Sequence, residues 1–139
     1  MAKTVQDIMT ANPVTLGANT PIIDAARAMR DNDIGVVVVE NNGQLLGLVT
    51  DRDIVVRAVA DNRNPSSTNL ESICSKDVTS VSPDQSDTDA VQLMRQKAIR
   101  RLPVVQNGKV VGIISLGDLA IENDERSVLA QVSAAAGNS

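Results

Sequence analysis

The chain has 139 residues, a formal net charge of −4, one cysteine, and neither histidine nor any aromatic residue. The usual ligands of zinc, haem and iron–sulfur sites and the usual nucleophile–base pairs are therefore missing, so we expect no metal site and no catalytic residue. An acidic chain without aromatic stacking surfaces is also poorly suited to binding nucleic acid.

The cysteine content and the apolar runs indicate where the protein works. Cys74 has no second cysteine with which to form an internal disulfide, which favours a reducing compartment. The longest wholly apolar run, Val36–Val39, is far too short to cross a membrane, and no apolar export signal follows Met1. We therefore expect a cytoplasmic protein without a membrane partner.

In chain order, the first half alternates signals for strands and helices. Thr20 is a suitable N-cap and Pro21 a suitable first helical residue, and apolar residues at helical spacing continue to about Asn32. The predicted elements are a strand at Val14–Leu16, this helix, a strand at Val36–Val39, a hairpin turn at Asn41–Gly43, a strand at Leu45–Val49, a helix from about Asp51 to Ala60 and a surface linker at Asp61–Asn69.

The second half predicts the same order of elements and then one further helix. The elements are a short strand at Thr79–Val81, a helix at Ser86–Ala98, strands at Leu102–Val105 and Val110–Ile114 joined at Asn107-Gly108, and a helix that starts at Leu116. From about Glu125 to Ala136 the tail has the pattern of an additional helix. We expect that helix to dock on the body of the protein or on a partner.

The two halves are repeats of one another. They align without a gap at a shift of 65 positions, which matches Gly43 with Gly108, Gly47 with Gly112, and Asp53 with Asp118. Two copies are too few for a solenoid, and each is too small to close its own core. The sequence therefore predicts an α/β (α+β) fold with two pseudo-symmetric β-α-β-β-α motifs, at 8–66 and 73–129, packed sheet to sheet with helices outside and followed by a tail at 130–139.

Short motifs in both repeats resemble a known family. Gly47–Ile54, Gly112–Leu119, Asp7–Met9 and Ile99–Val105 are similar to the motifs of a tandem cystathionine-β-synthase (CBS) domain pair, or Bateman module. The resemblance covers essentially the whole chain and is greatest to stand-alone CBS-pair proteins, including the bacterial hypoxic-response type. It implies a regulatory, signalling protein that binds AMP, ADP, ATP or S-adenosylmethionine between its sheets, needs no obligatory cofactor, forms a homodimer and acts on a partner protein.

Two different functions are compatible with these features. The first is a sensor whose cleft takes an adenine nucleotide and passes the change to an unknown regulated protein. The second is a structural or interaction protein with a CBS-pair fold and degenerate, ligand-free sites. An enzyme is a poor third, because no glycine-rich phosphate loop or kinase signature accompanies Asp51-Arg52-Asp53.

The candidate nucleotide site is centred on two matching motifs, Thr50-x-x-Asp53 and Ser115-x-x-Asp118. By spacing alone, each is a capping box at the start of a helix. The same helix start also offers N–H donors to a phosphate, and the carboxylate can accept hydrogen bonds from both ribose hydroxyls. In the resembled family, the aspartate holds the ribose and the Ser/Thr lies near the phosphate, and capping and binding can coexist.

The second repeat has the stronger case for binding phosphate. Arg100 and Arg101 precede its first hairpin strand and would supply cationic, bidentate donors, although a solvated basic pair is an equal alternative. The first repeat has Gly35-Val36 at these positions and Val38 in place of Pro103. Arg52, beside Asp53, would replace the basic pair only in part, so we favour the second repeat as the nucleotide site.

A base without aromatic partners would need aliphatic contacts. The candidates are Ile8, Val14, Ile34 and Val37 in one site, and Val78, Ile99 and Leu102 in the other. Ordinary core is the better explanation of each aliphatic residue. Thr79 and Pro103 are further candidates for contact with the nucleotide. Cys74 aligns with Met9 and is best explained as a small hydrophobic residue.

Overall fold

The computed structural model describes residues 3–76 and 78–123, which form two compact units. The middle unit contains residues from Val14 to Val78, and the split unit combines residues 3–13 with residues 79–123. The predicted tail helix at 125–136 and the tail at 130–139 lie outside the described residues.

Helices and strands are mixed in both units, so the fold is α+β, as the sequence predicts. In chain order the elements are α1 (Val5–Ile8), β1 (Thr10–Ala11), β2 (Thr15–Gly17), α2 (Ile22–Asn32), β3 (Val36–Asn41), β4 (Gln44–Thr50), α3 (Asp51–Asp53) continuing as a π-helix (Ile54–Val59), a 3₁₀ turn (Leu70–Ser72), α4 (Asp87–Lys97), β5 (Arg101–Gln106), β6 (Lys109–Ser115) and α5 (Leu116–Asn123).

Each unit is built on a three-stranded sheet, in the order β2-β3-β4 or β1-β6-β5. The antiparallel pairs β3–β4 and β5–β6 are the two predicted hairpins, and their turns are confirmed. Asn42 and Gly43 have φ values of 55° and 79°, and Asn107 and Gly108 have 54° and 78°. Two consecutive left-handed residues make the tight turn that suits the twist of a hairpin, and Asn-Gly adopts it readily.

The first residues of the chain fold with the second repeat. Thr10 of β1 lies opposite Ile113 of β6, and Val5 N donates to Gln85 O at 2.8 Å. The segment that precedes the second repeat behaves in the same way, since Ser75 N donates to Leu48 O of the middle unit at 3.1 Å. Each compact unit therefore combines one repeat with the short segment that precedes the other repeat. The motif boundaries 8–66 and 73–129, in contrast, assign each of these segments to the repeat that it precedes.

The first long helix, α2, starts one residue later than predicted. Pro21 is its N-cap, with an extended ψ of 148°, and Ile22 is the first helical residue. The predicted linker explains this shift, because Thr68 O and Pro65 O accept hydrogen bonds from Ile22 N and Ile23 N. The exposed linker thus satisfies backbone donors that a helix leaves unpaired at its start.

The helix predicted from Asp51 to Ala60 is only partly α-helical. After α3 the backbone widens to i→i−5 hydrogen bonds, as in Ala60 N to Val55 O at 2.9 Å. The predicted helix is therefore present, but most of its length is π-helical. Consecutive β-branched residues from Ile54 to Val56 crowd the preceding turn of an α-helix, and a wider turn relieves that crowding.

The strand predicted at Thr79–Val81 is reduced to one bridge, between Val81 and Val104. In the middle unit the matching strand β2 pairs in parallel with β3, and Val38 N donates to Val14 O at 2.9 Å. Pro103 occupies the position of Val38 and has no N–H to donate. The ladder therefore stops before Thr79.

Candidate functional site

The Ser115–Asp118 motif forms a complete capping box at the start of α5. Ser115 N donates to Asp118 Oδ2 at 3.0 Å, and Asp118 N donates to Ser115 Oγ at 3.0 Å. Both residues are half-buried. The capping interpretation of the motif is therefore realised in the second repeat.

The capping box leaves part of the Asp118 carboxylate available. Among the described residues, Asp118 Oδ1 has no hydrogen bond or ion pair, and Oδ2 keeps a second lone pair besides the one used by Ser115 N. A carboxylate with this much acceptor capacity can bind a ribose diol without giving up the cap. Capping and ligand contact are thus compatible here.

The same corner of the split unit contains the basic pair. Arg101 is the direct cross-strand neighbour of Ser115, and Arg100 O accepts from Leu116 N at 2.8 Å. Arg100 is exposed, Arg101 is half-buried, and neither guanidinium forms an ion pair within the described part of the chain. The hairpin register therefore places Arg101 beside Ser115, and the backbone of Arg100 lies at the start of α5.

A backbone acceptor lies on the other edge of β5. Val81 N donates to Pro103 O at 3.1 Å and Val105 N donates to Val81 O at 2.8 Å, which holds the segment parallel to β5. Because Pro103 lacks an N–H, the carbonyl oxygen of Thr79 receives no bond from β5. No backbone donor from the described residues reaches it elsewhere. The second repeat thus offers an open hydrogen-bond acceptor where the first repeat has a filled one.

The aliphatic residues predicted to contact the base fall into two groups, one buried and one half-buried. Val37 and Leu102 are fully buried in the core of the middle unit and of the split unit, respectively, which favours the ordinary-core interpretation of their side chains. Pro103 is also buried. Ile99 in the split unit, and Val14 and Ile34 in the middle unit, are half-buried and retain accessible surface.

The first repeat builds the same cap with a different environment. Thr50 N donates to Asp53 Oδ2 at 2.9 Å and Asp53 N donates to Thr50 Oγ1 at 3.1 Å. Here Arg57 Nε lies 3.8 Å from Asp53 Oδ1, and Arg57 Nη1 donates to Ile73 O at 3.1 Å. Sequence reasoning missed Arg57, although its spacing of four residues from Asp53 on a helix is the signal of an ion pair.

The two first-repeat positions that correspond to Arg100 and Arg101 have no cationic side chain. Gly35 O accepts from Asp51 N at 3.0 Å, and Val36 lies opposite Thr50, so these two residues occupy the places of Arg100 and Arg101. Arg52 is exposed, and its backbone N–H bonds to the Asp51 side chain at 2.8 Å.

Cys74 is a buried residue that packs against β4. Its side chain is 6% exposed, and a Cβ added to Gly47 would lie 3.3 Å from its Sγ. Burial is the main cause that raises the pKa of the thiol, and nearby Lys76 opposes this rise. A thiol that favours its neutral form fits the predicted role of a small hydrophobic residue.

Other potential sites do not coincide with the predicted one. An open polar hollow of about 500 Å³ lies in the middle unit, and none of the predicted site residues lines it. No group of three or more acidic or cysteine side chains in residues 3–76 and 78–123 is placed to hold a metal ion. No helix in the same ranges has both the length and the apolar character needed to span a bilayer.

Comparison with known proteins identifies related chains. The family model of the CBS domain matches residues 5–59 and again residues 70–123. The CBS domain-containing protein YhcV of Bacillus subtilis is 41% identical over 117 residues, which cover 84% of this chain and 83% of that protein. Hypoxic response protein 1 of Mycobacterium tuberculosis is 29% identical over 132 residues, or 94% of this chain and 92% of that protein.

A solved structure adds a ligand-bound relative. It is a CBS domain pair in complex with 5′-methylthioadenosine and S-adenosyl-L-methionine, with a TM-score of 0.81 and 26% sequence identity. The alignment covers 91% of this chain and all of that one. The order of elements described above is therefore that of a known CBS pair.

Proposed function

Because the chain belongs to the CBS-domain family, whose paired domains form a regulatory nucleotide-binding module, we propose that it senses an adenosine nucleotide through its second repeat. AMP, ADP, ATP and S-adenosylmethionine are the candidate ligands. The observation that carries the proposal is the placement of Arg100, Arg101, Ser115 and Asp118 at one corner of the split unit.

Each part of such a ligand has a matching group at this corner. The ribose hydroxyls would donate to Asp118, whose Oδ1 has no other partner among the described residues. The phosphate would lie near Ser115 and the first N–H groups of α5, with Arg100 and Arg101 as cationic donors. The combination favours an anionic nucleoside over an uncharged one.

The adenine ring would be recognised by backbone rather than by aromatic stacking. The carbonyl of Thr79, which accepts no backbone bond from the described residues, would accept a hydrogen bond from the exocyclic amine of adenine, which guanine and hypoxanthine lack at that ring position. The half-buried side chain of Ile99 would provide an apolar face. This arrangement supports a preference for a 6-aminopurine.

The proposed role is regulatory rather than catalytic. Binding would shift the protein between two arrangements that a cytoplasmic partner protein distinguishes, which requires a difference in nucleotide affinity between the two. No enzymatic step and no obligatory cofactor is part of this proposal.

A second copy of the chain is the partner that the surface favours. Val55, Val56 and Val59 are 58%, 50% and 66% exposed on the π-helix, although valine is a poor helix former and an exposed apolar patch is unfavourable in water. The segment from Asp51 to Arg63 contains as many arginines as aspartates, whereas the whole chain is acidic. A self-complementary apolar face without net charge suits a twofold homodimer.

Calorimetric titration tests the ligand proposal. The purified, nucleotide-stripped protein is titrated with AMP, ADP, ATP and S-adenosylmethionine, because the absence of Trp and Tyr makes intrinsic fluorescence uninformative. Saturable micromolar binding of one of these ligands is the expected result. No binding of any of them by a folded protein would reject the proposal and favour the ligand-free interaction module.

The basic pair provides a sharper test of the phosphate contact. In the double variant Arg100→Ala and Arg101→Ala, we expect AMP affinity to fall at least tenfold, while adenosine affinity changes little. The variant Lys109→Ala removes an exposed cation elsewhere in the same sheet and serves as the control. Equal losses for AMP and adenosine would show that the pair does not contact phosphate.

A further inference from the structure

We infer that the protein binds one nucleotide per chain, because the first repeat is less suited to a nucleotide at three places: Arg57 pairs with its carboxylate, it lacks the basic pair, and its backbone acceptor is already filled. This inference rests on the proposed function and concerns its stoichiometry and specificity. The two repeats share fold and capping box, so the difference lies in a small number of substituted positions.

The ribose position of the first repeat is occupied by an internal cation. Arg57 Nε approaches Asp53 Oδ1 at 3.8 Å, while Arg57 Nη1 is anchored on Ile73 O at 3.1 Å. A ribose diol would have to displace this guanidinium from a carboxylate that is itself only 17% exposed. The second repeat has an acidic residue, Glu122, at the aligned position of the sequence.

The phosphate position of the first repeat lacks its donors. Val36 is the cross-strand neighbour of Thr50 in the way that Arg101 is the neighbour of Ser115. Gly35, in place of Arg100, contributes no side chain. An incoming phosphate would therefore meet the helix start without the basic pair, with only Arg52 as a nearby cation and with the acidic Asp51 beside it.

The base position of the first repeat is closed by a backbone hydrogen bond. Val38 N donates to Val14 O at 2.9 Å, which fills the acceptor that corresponds to the open carbonyl of Thr79. An adenine amine would have to compete with a bond inside the sheet ladder. The single substitution of valine for proline decides whether this acceptor is free, because proline has no N–H.

No one of these differences is sufficient alone. A partly exposed ion pair such as Arg57–Asp53 changes an affinity only a few-fold, and the other two differences each remove one favourable contact. Their effects fall on three separate parts of one ligand and therefore multiply. The first repeat retains its helix cap but offers the nucleotide fewer favourable contacts than the second repeat does.

Stoichiometry is the direct test. Wild-type protein is titrated with AMP, and the result is compared with Asp118→Ala and Asp53→Ala. We expect about one AMP per chain, loss of binding in Asp118→Ala, and unchanged stoichiometry with less than a threefold change of affinity in Asp53→Ala. Two AMP per chain, or loss of binding in Asp53→Ala, would overturn the inference and leave the proposed function standing. No binding by the wild type would reject the proposed function itself.

Rebuilding the first site tests the cause. In the Asp118→Ala background, Val36→Arg, Val38→Pro and Arg57→Ala together introduce the second-repeat residues at two positions and free the carboxylate at the third. Circular dichroism checks folding, and the expected result is recovery of about one AMP per chain. If the rebuilt variant folds but binds no AMP, these three differences are not the reason that the first repeat lacks a nucleotide site. If this variant does not fold, the wild-type stoichiometry decides.

Discussion

The segment around Ser75 lies so close to β4 that the position of Gly47 has no room for a side chain. A Cβ at this position would overlap the carbonyl oxygen of Ser75, lie 3.0 Å from the Ser75 carbonyl carbon, and lie 3.3 Å from Cys74 Sγ. The atoms in conflict belong mostly to backbone, so a side-chain rotation cannot relieve the overlap. In Gly47→Ala, the segment around Ser75 must move away from β4.

The cost follows from the contacts that this movement breaks. Overpacking of a buried position costs about 1–3 kcal/mol. Loss of the hydrogen bond from Ser75 N to Leu48 O adds about 1 kcal/mol. We therefore expect Gly47→Ala to lower the free energy of unfolding by about 2–4 kcal/mol. Gly17→Ala is the matched control in the same unit, because its Cβ would meet only Thr20 Oγ1, at an ordinary 3.6 Å.

Urea unfolding followed by far-ultraviolet circular dichroism measures both variants. With a slope of about 1–3 kcal/mol per molar urea, the Gly47→Ala midpoint should fall by roughly 1–2 M. The Gly17→Ala midpoint should correspond to a change within about 0.5 kcal/mol of the wild type. An unchanged midpoint in Gly47→Ala, or an equal fall in both variants, would refute the steric argument.

Three further predictions concern the caps, the thiol and the apolar face. Asp118→Ala and Asp53→Ala should each lower stability by about 0.5–2 kcal/mol in urea unfolding, because each removes the carboxylate that accepts from the N–H of the cap residue. Asp53→Ala also removes the ion pair with Arg57, so a loss in Asp118→Ala twice that in Asp53→Ala would contradict this reasoning. Burial raises the pKa of Cys74, so its stabilising contribution is complete below the unfolded-state pKa of about 8.5 and disappears as pH rises through the folded-state pKa. The wild type should therefore lose more stability than Cys74→Ala between pH 8 and 10, and parallel pH curves would exclude this linkage. Val59→Asp should dissociate a homodimer in sedimentation velocity, while Gln44→Glu should not, and an unchanged sedimentation coefficient in Val59→Asp would remove the valine face from the interface.

The sequence correctly predicts the turns and helix caps, because these features depend on interactions between residues that are close in the chain. The Asn-Gly turns need two left-handed residues, and the structure has them at Asn42-Gly43 and at Asn107-Gly108. The Ser115-x-x-Asp118 spacing predicts reciprocal bonds between cap and third residue, and the structure has both. These features depend on neighbours within four residues, which is why one sequence suffices to predict them.

The features that sequence reasoning missed depend on distant partners. The pairing of Thr10 with Ile113 joins residues more than a hundred positions apart, and the two-residue strand is too short for a period-2 pattern. The missing strand at Thr79–Val81 has a strand-like sequence of its own, but its partner position is Pro103. A local pattern cannot show that the neighbouring strand has no donor to offer.

The capping box is therefore a poor marker of a nucleotide site within this chain. Thr50-x-x-Asp53 and Ser115-x-x-Asp118 have the same geometry to within 0.1 Å in each bond, so the motif is sufficiently explained by helix capping in both repeats. What differs is the charge beside each carboxylate and the presence or absence of one backbone donor. Arg57 faces Asp53, whereas the second repeat has Arg101 beside Ser115 and a Thr79 carbonyl that accepts no backbone bond from the described residues. We therefore expect any difference in ligand binding between the two repeats to depend on the residues around the shared motif and not on the motif itself.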